Sequence, residues 1–391
     1  MPWLHLYIDT NGMVKACCNA NITFGNINTQ SVEEIWNGEP IRQFRRLMLE
    51  GRKDRRCATC FQKEEAGKSS MRLETLEKFD HKLDWVGQTH ESGFSKNSKP
   101  IYFDIRFNNL CNLRCRTCWH GASSSWFEEA KLLNTNLGQQ AIIQATTDNM
   151  SLIGQLLKNP NEIEEIYFAG GEPLMMNEHY EVLDQLIQTS CTSVHLSYNT
   201  NLSTLKLKSR SVLDLWEKFE HLTISVSIDG LHDQAEYIRK GLKWDLFIDN
   251  MSTIKARLPH AKLEIAPTIS VFNIIGLGDL HQYFVNEGLI GADSIYLNVL
   301  SRPDYYNIKI LTESLKHQAE ANIRRHLEWL KPLSISENLI SEFESVIQYM
   351  NHEDWSKKIT QLKTHIQTLD QMRSEQFKVV FPALNSLFDP F

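Results

Sequence analysis

The chain has 391 residues, of which 42% are hydrophobic and 23% are charged, and its formal net charge is −7. These values are typical of a globular protein with a sizeable core, and they exclude collagen-like, fully disordered and disulfide-scaffold chains. The mild negative charge argues against a nucleic-acid partner. No apolar run reaches the roughly 20 residues of a membrane span and no signal peptide is recognisable, so we expect a cytoplasmic protein without membrane contact.

Seven of the eight cysteines fall into two clusters. The first cluster is Cys17, Cys18, Cys57 and Cys60, and the second is Cys111, Cys115 and Cys118. Clustered cysteines in a reducing compartment are more often metal ligands than disulfide partners, so we expect metal at both. Cys191 stands alone and is interpreted as a small buried hydrophobic residue.

Residues 1–86 are predicted to form a small α+β module that carries the first cysteine cluster. An Asn-Gly turn at residues 11–12 indicates a hairpin, and the capping box of Ser31 and Glu34 indicates the start of a helix. Residues 87–100 are polar and rich in Gly and Ser, which is typical of a linker.

From residue 101 to residue 311, strand and helix patterns alternate. The strand candidates are Ile101–Arg106, Ile163–Phe168, Ser193–Tyr198, Leu222–Ile228, Leu263–Val271 and Ser294–Leu300. Six such units predict an α/β fold, a partial (β/α)6 TIM-like barrel with its chemistry at the carboxyl ends of the strands. Residues 312–391 carry only helical patterns and are predicted to form a C-terminal helical extension.

The second cysteine cluster directly follows the first strand of this region. Its three thiolates, Cys111, Cys115 and Cys118, are spaced to hold three irons of a 4Fe–4S cluster and to leave the fourth iron open to a small molecule. A structural zinc site needs four ligands, and His120 is available as the fourth. The motif by itself leaves both readings open.

A second motif, Gly170-Gly171-Glu172-Pro173, follows the second strand. The two glycines allow the backbone to approach a ligand closely, and Glu172 offers an acceptor for an ammonium group. The alternative interpretation is a purely structural turn.

Together the two motifs resemble those of the radical SAM superfamily, over roughly residues 101–300. The resemblance implies a 4Fe–4S cluster on the three cysteines, with the amino and carboxylate groups of S-adenosylmethionine (SAM) on its open iron. It also implies that the Gly-Gly-Glu-Pro turn contacts the amino end of SAM. The sequence departs from the family at Thr117, where an aromatic residue is common, and Trp119 is the candidate replacement for packing against adenine.

The same resemblance implies further SAM-pocket residues at the ends of the third and fourth strands. These are Asn199, Ser227, Asp229 and Arg239. The guanidinium of Arg239 suits the SAM carboxylate, because an arginine fork matches a carboxylate in shape and charge. The alternatives are a turn at Asn199 and a surface helix position for Arg239.

The first cysteine cluster resembles that of SPASM/twitch modules, which hold auxiliary iron–sulfur clusters in radical SAM enzymes. Four cysteines are enough for one auxiliary cluster, and zinc is the alternative metal. Neighbouring side chains in an extended segment point to opposite faces, so it stays open whether both Cys17 and Cys18 are ligands.

The resemblance implies an enzyme in which a reduced 4Fe–4S cluster cleaves SAM to a 5′-deoxyadenosyl radical that abstracts hydrogen from a substrate. Members with such modules often modify peptides or proteins, which ranks that substrate class above sugars and nucleotides. An electron donor such as flavodoxin or ferredoxin is implied as a partner. The rival of another class is a non-enzymatic zinc or iron–sulfur binding module.

Overall fold

The computed structural model describes residues 1–65, 69–133, 137–333 and 335–388. The chain divides into two units. The first unit comprises residues 1–112, 120–200 and 204–223, and the second comprises residues 113–119, 201–203 and the chain from residue 224 onward. Of the second cysteine cluster, Cys111 lies in the first unit, and Cys115 and Cys118 lie in the second.

The strands are short. They are β1 (His5–Ile8), β2 (Met13–Lys15), β3 (Thr23–Asn26), β4 (Tyr102–Ile105), β5 (Arg114–Cys115), β6 (Glu165–Phe168), β7 (His195–Thr200), β8 (Lys206–Leu207), β9 (Arg210–Ser211), β10 (Leu222–Val226), β11 (Arg239–Lys240), β12 (Lys262–Ile265), β13 (Thr268–Ile269) and β14 (Asn298–Val299). The predicted fifth strand is divided into β12 and β13 around Pro267, which has no N–H to donate to a ladder. The predicted sixth strand is reduced to β14.

The helices follow the predicted alternation and then dominate the end of the chain. They are α1 (Val32–Asn37), α2 (Glu39–Leu49), α3 (Ala58–Glu65), α4 (Met71–Lys78), α5 (Asp84–Gly87), α6 (Phe127–Leu132), α7 (Asn149–Leu156), α8 (Asn177–Gln188), α9 (Val212–Trp216), α10 (His232–Ile238), α11 (Trp244–Arg257), α12 (Leu277–Asn286), α13 (Glu313–Leu330), α14 (Glu337–Asn351), α15 (Ile359–Arg373) and α16 (Phe377–Val380). None of the described helices combines the length and the apolar composition needed to cross a bilayer.

In the first unit, the strand order is β7-β6-β4-β1-β2-β3. Strands β1, β4, β6 and β7 run parallel to one another, whereas β2 pairs antiparallel with both β1 and β3, as the predicted hairpin and its extension. The N-terminal strands thus lie in the same sheet as β4, and the boundary at residue 86 stays a prediction. The predicted α/β class with a parallel sheet and a helical C-terminal region is confirmed.

The predicted linker, residues 87–100, packs against helices α1 and α2. The indole N–H of Trp36 donates to Ser98 O at 3.0 Å, and Arg46 Nη1 donates to Ser92 O at 2.7 Å. These contacts give the segment fixed partners within the first unit, although its composition is that of a linker.

The sheet of the first unit has one apolar and one polar face, because successive side chains of a strand alternate in direction. The apolar face includes Leu6, Ile8, Phe103, Ile105, Ile166, Phe168, Leu196 and Tyr198, all almost fully buried. We define the polar face by the alternate residues His5, Tyr7, Tyr102, Asp104, Arg106, Glu165, Tyr167, His195, Ser197 and Asn199. The strand register aligns Tyr7, Asp104, Tyr167 and Ser197 in one row across this face.

In the second unit, β5 pairs antiparallel with β11, and β13 pairs parallel with β14. The predicted C-terminal helical extension is present as α13, α14 and α15, and α13 packs against both α12 and α14.

A buried histidine makes the folded chain sensitive to acid. Burial lowers the pKa of His179 to about 3; its ring lies edge-on to Phe168, and its Nε2 lies 2.9 Å from Tyr198 Oη. The unfolded chain binds a proton near pH 6.5, so stability falls as the pH drops from 6.5 towards 3. At pH 5, His179 is expected to cost roughly 2 kcal/mol relative to neutral pH.

The acid sensitivity is measured as the difference in unfolding free energy between pH 7 and pH 5. We expect this difference to be smaller in His179→Gln than in the parent, by roughly 2 kcal/mol. His317 is the matched control, because its side chain is 73% exposed. An unchanged difference in His179→Gln would contradict the prediction.

Candidate functional site

The loop that leads from β4 to Cys111 is held by two buried asparagines. Asn109 Nδ2 donates to His120 O and Ala141 O at 2.9 and 3.0 Å, while its Oδ1 accepts from Ile143 N–H at 2.8 Å. Asn108 Oδ1 accepts from Leu110 N–H at 2.9 Å. These bonds satisfy backbone groups that a buried loop otherwise leaves unpaired, so they fix the course of the chain just before Cys111.

Cys111 itself is half-buried and is tied by its backbone to the segment that follows the cluster. Its N–H donates to Ser124 Oγ at 3.3 Å, and its carbonyl accepts from Ser125 Oγ at 2.6 Å. The thiol is therefore carried by an anchored backbone in the first unit.

The Gly-Gly-Glu-Pro turn is built directly onto this loop. Gly171 N–H donates to Asn108 O at 3.2 Å, and Glu172 N–H donates to Leu110 O at 2.7 Å. A Cβ atom at Gly171 would lie 2.2 Å from Leu110 O, which no side chain tolerates. Gly170 has φ +116°, a conformation that favours glycine. The two glycines are therefore needed for the close contact between the Gly-Gly-Glu-Pro turn and the loop before Cys111, whether or not they also approach a ligand.

Glu172 is almost fully buried, with 1% of its surface exposed. Its Oε1 accepts from Thr200 Oγ1 at 2.6 Å and from Leu174 N–H at 3.1 Å. These two donors orient the carboxylate, and Pro173 opens the single-turn 3-10 helix that follows. The predicted contact of Glu172 with the SAM amino group stays a prediction.

Asn199 lies near the carboxyl end of β7 and is exposed. It occupies the polar face of the sheet, and Thr200, the next residue, is buried and reaches Glu172. Asn199 is thus part of a strand rather than of a turn, and its predicted place in the SAM pocket stays a prediction.

In the second unit, Cys115 lies opposite Arg239 in the strand pair of β5 and β11. Arg239 Nη1 lies 3.9 Å from Cys115 Sγ, and Arg239 Nε lies 2.9 Å from Asp229 Oδ2. The Arg239 side chain is only 8% exposed, so the alternative that it is a surface helix residue is wrong. Burial raises the pKa of Cys115 to about 12, and the nearby guanidinium opposes this shift by favouring the thiolate.

Asp229 is completely buried beneath this arginine. Its Oδ1 accepts from Thr268 N–H at 2.7 Å, which fixes the carboxylate at the end of β10, while Ser227 is half-buried two residues earlier. Asp229, His232, Asn273, Asp279 and Phe381 are among the residues that line a cavity of about 470 Å³ in the second unit. The predicted SAM contacts of Ser227, Asp229 and Arg239 stay predictions.

Arg116, inside the cysteine motif, is anchored by the C-terminal region. Its Nη2 lies 2.6 Å from both Asp370 Oδ1 and Glu375 Oε2, its side chain is 0% exposed, and it packs 3.8 Å from the centre of the Tyr237 ring. Arg373 Nη2 also donates to Arg114 O at 2.9 Å. Helix α15 and the residues after it thus hold the segment that carries Cys115 and Cys118.

Trp119 follows the third cysteine of the motif and is 61% exposed. The predicted packing of Trp119 against adenine stays a prediction.

The first cysteine cluster lies wholly in the first unit. Cys17 is buried just after β2, Cys57 ends a 3-10 turn, and Cys60 lies on the first helical turns of α3. Burial raises the pKa of Cys57 to about 11, and the charges of Cys17 and Cys60 add to the shift. Each of these thiols is therefore close enough to its neighbours to affect their ionisation.

Cys18 differs from the other three in its surroundings. Desolvation of its thiol and the carboxylate of Asp104 raise the pKa of Cys18 to about 12, and Arg106 opposes the shift. The charged groups that most strongly affect the pKa of Cys18 thus belong to the polar face of the sheet. This agrees with the expectation that the neighbouring side chains of Cys17 and Cys18 point in opposite directions.

The side chains present fit iron–sulfur clusters by donor type. Thiols predominate in both clusters, and a guanidinium beside Cys115 stabilises the anionic form that binds iron. Within the residues that the structure describes, no three Cys, His, Asp or Glu side chains are already close enough to hold a metal ion. The fit therefore rests on donor chemistry, burial and the anchored backbone.

Several residues that support the site are absent from the sequence-based prediction. They are Asn108, Asn109, Arg116 and the carboxylates of Asp370 and Glu375. The only signal in the sequence is position: three of them lie within or beside the cysteine motif. The partners of Arg116 are more than 250 residues away along the chain, and no local pattern identifies them.

Residues 1–61 match the SPASM model, described as an iron–sulfur cluster-binding domain, and residues 105–279 match the radical SAM superfamily model. The sporulation killing factor maturation protein SkfB of Bacillus subtilis (strain 168) is 24% identical over 204 residues. That match covers 51% of this chain and 43% of SkfB, so the chain spans less than half of the relative's length.

Solved structures with a distant likeness include native anSMEcpe with bound AdoMet, at 15% identity and a TM-score of 0.42. That match covers 65% of this chain and 63% of the other. A second is native anSMEcpe with bound AdoMet and Cp18Cys peptide, at 15% identity and a TM-score of 0.40, covering 60% and 62%.

The two family matches fall on the segments that carry the two cysteine clusters. The predicted cofactors, a SAM-binding 4Fe–4S cluster, an auxiliary iron–sulfur cluster and SAM, are those of the matched families. The chain therefore contains a radical SAM superfamily segment at residues 105–279 and a SPASM-type iron–sulfur cluster-binding segment at residues 1–61.

Proposed function

We propose that the protein is a radical SAM enzyme that modifies a peptide or protein. When bound, a reduced 4Fe–4S cluster and SAM supply a 5′-deoxyadenosyl radical, which abstracts hydrogen from a C–H bond of the substrate. The observation that carries the proposal is the backbone join between the Gly-Gly-Glu-Pro turn and the loop before Cys111. That join places the two motifs of the family at neighbouring strand ends of one sheet.

In this proposal, each residue has a role suited to its chemistry. Cys111, Cys115 and Cys118 hold the cluster, and the oriented carboxylate of Glu172 accepts a hydrogen bond from the SAM ammonium. Arg239 is buried beside Cys115 and supplies positive charge both to the thiolate and to the SAM carboxylate. Asp229 fixes the guanidinium in that position.

A peptide or protein substrate is supported by the curated relative. SkfB is named for the maturation of a sporulation killing factor, which favours a peptide over a sugar or a nucleotide as the target. The auxiliary cluster would be held by Cys17, Cys57 and Cys60, with Cys18 as the fourth candidate. Electrons would come from a small donor such as flavodoxin or ferredoxin.

The test begins with anaerobic reconstitution and with chemical determination of iron and sulfide. We expect about eight irons per chain, and the combined Cys111→Ala, Cys115→Ala and Cys118→Ala variant should lose about half of them and all SAM cleavage. Cys191→Ala is the control: Cys191 is 4% exposed and its Sγ lies 3.0 Å from Asn161 Oδ1, away from both clusters.

The outcomes separate the rival readings. Zinc without sulfide would favour the non-enzymatic binding module. Iron and SAM cleavage without any mass change in peptides, but with a changed sugar or nucleotide, would overturn the substrate class and leave the radical SAM assignment intact. A peptide product detected by mass spectrometry, dependent on SAM and reductant, would support the whole proposal.

A further inference from the structure

The amino-terminal half of the polar face is already covered by the protein. Lys78, at the end of α4, pairs with Glu165 Oε2 at 2.5 Å, and Ser197 Oγ donates to Glu165 Oε1 at 2.9 Å. Phe79 stacks on Tyr102 with the ring centres 5.8 Å apart. The charged and aromatic groups of this half therefore have partners within the first unit.

The carboxyl-terminal half contains a loosely paired acid and base. Arg106 Nη2 lies 3.5 Å from both Asp104 Oδ1 and Asp104 Oδ2, at the limit of a hydrogen bond. Among the described residues, Asp104 Oδ1 and Arg106 Nε have no hydrogen-bond partner, although the Asp104 side chain is 95% buried. Burial outweighs the nearby guanidinium and raises the pKa of Asp104 to about 6.

A buried carboxylate with an unused oxygen is costly unless a ligand satisfies it. The Arg106 side chain is 20% exposed and lies over the Tyr7 ring, 4.9 Å from its centre. The ring holds the guanidinium in place and offers it no hydrogen-bond acceptor in return. The pair thus presents one acceptor and one donor, two residues apart, with Asp104 on β4 and Arg106 directly after the strand.

A peptide unit carries the complementary groups, an N–H donor and a C=O acceptor. A carboxylate ligand would satisfy Arg106 and repel Asp104, and an ammonium ligand would do the reverse. A neutral amide satisfies both without adding a net charge to the face.

The pair is also close along the chain to the proposed reaction centre. Asp104 lies on β4, whose following loop reaches Cys111, and its neighbour Tyr167 lies on β6, which ends at the Gly-Gly-Glu-Pro turn. Parallel strands bring these ends to one edge of the sheet. A ligand on Asp104 and Arg106 would therefore lie beside the strand ends from which the loop to Cys111 and the Gly-Gly-Glu-Pro turn start.

We propose that Asp104 and Arg106 form a substrate subsite that binds one backbone amide of a peptide, Asp104 accepting its N–H and Arg106 donating to a carbonyl oxygen. This inference rests on the peptide substrate of the proposed function and adds the residues that recognise it. Both are specificity residues; neither has a role in SAM cleavage itself.

The probe is a pool of N-acetylated, C-amidated hexapeptides of random sequence. It is equilibrated anaerobically with the reconstituted, SAM-loaded protein, and the retained peptides are identified by mass spectrometry. The Kd of the best-binding peptide is then measured for the Asp104→Asn and Arg106→Lys variants, and each substitution should raise this Kd by about 10–150-fold. Lysine keeps the charge of Arg106 and loses the fork.

Asp184 and Arg210 provide matched controls, because they form an ion pair at 2.6 Å in the same unit. Asp184 lies on α8, whose His179 packs against Phe168 and Tyr198 of the opposite, apolar face. Asp184→Asn and Arg210→Lys are expected to bind the peptide within twofold of the parent. Iron content and the urea midpoint of every variant show whether it has folded.

Ester analogues test the same contact on the unaltered protein. Replacing each peptide N–H in turn by an ester oxygen should weaken binding at one position by a similar factor, with no further loss in Asp104→Asn. The inference is overturned if the parent binds the peptide but its binding is weakened neither by any ester analogue nor by either variant. It is also overturned if the variants weaken the binding of SAM and leave the binding of the peptide unchanged. Failure of the proposed function is distinct: the parent itself would retain no peptide.

Discussion

Gly171→Ala is expected to abolish SAM cleavage and to release most of the iron held by the second cysteine cluster. The added Cβ would lie 2.2 Å from Leu110 O and 2.5 Å from Asn109 C, both backbone atoms that cannot rotate away. The turn and the loop before Cys111 must then separate, which breaks the hydrogen bond from Glu172 N–H to Leu110 O. Overpacking of this kind costs at least roughly 1–3 kcal/mol.

The measurements are iron content, 5′-deoxyadenosine production and the urea midpoint. Gly154→Ala is the control, because Gly154 lies inside α7 with no atom within 4 Å of the added Cβ. That variant is expected to gain about 0.5–1 kcal/mol of stability from helix propensity. If Gly171→Ala retains iron and activity like the parent, the close approach of the two loops is not required for the site.

Arg116→Met is expected to destabilise the protein by about 3–5 kcal/mol and to lower the iron content of the same cluster. The variant leaves two half-buried carboxylates, Asp370 and Glu375, without the guanidinium that lies 2.6 Å from each, while Glu375 keeps Lys240 at 2.8 Å. It also removes the cation that packs 3.8 Å from the Tyr237 ring. The loss should be large because breaking a buried ion pair leaves uncompensated charge in a poorly solvated place.

Urea unfolding and iron analysis measure these two effects. Arg324→Met is the control: Arg324 is 54% exposed and pairs with Glu320 on the surface of α13, so its loss should cost about 0.5 kcal/mol or less. Adding Asp370→Asn and Glu375→Gln to Arg116→Met should restore part of the stability, since the stranded charges are then removed. No recovery, or no initial loss, would contradict the anchoring role.

The Arg116 contacts give the C-terminal helical extension a function in the site. Arg116 belongs to the cysteine motif, and its partners come from the end of α15 and the residues after it. Truncating the chain before α15 would therefore disturb the segment of Cys115 and Cys118, in addition to removing helices.

The sequence alone identified the two cysteine clusters, the Gly-Gly-Glu-Pro turn and the order of strands and helices. These features are local: three thiols within eight residues in the second cluster, two close pairs of thiols in the first, a glycine pair after an apolar strand, and periodicities that persist over one element. Local rules were sufficient because each such feature depends on residues close together in the chain.

Only the tertiary structure decided which distant residues meet. It brought β1 beside β4, buried Arg239 against Asp229 and Cys115, and paired Arg116 with carboxylates of the C-terminal region. It also revealed the polar face, because the side of a strand that a residue occupies follows from register, and register is set by pairing with other strands. Strand pairing and burial depend on contacts between distant parts of the chain, so they cannot be predicted from the residue spacing within one motif.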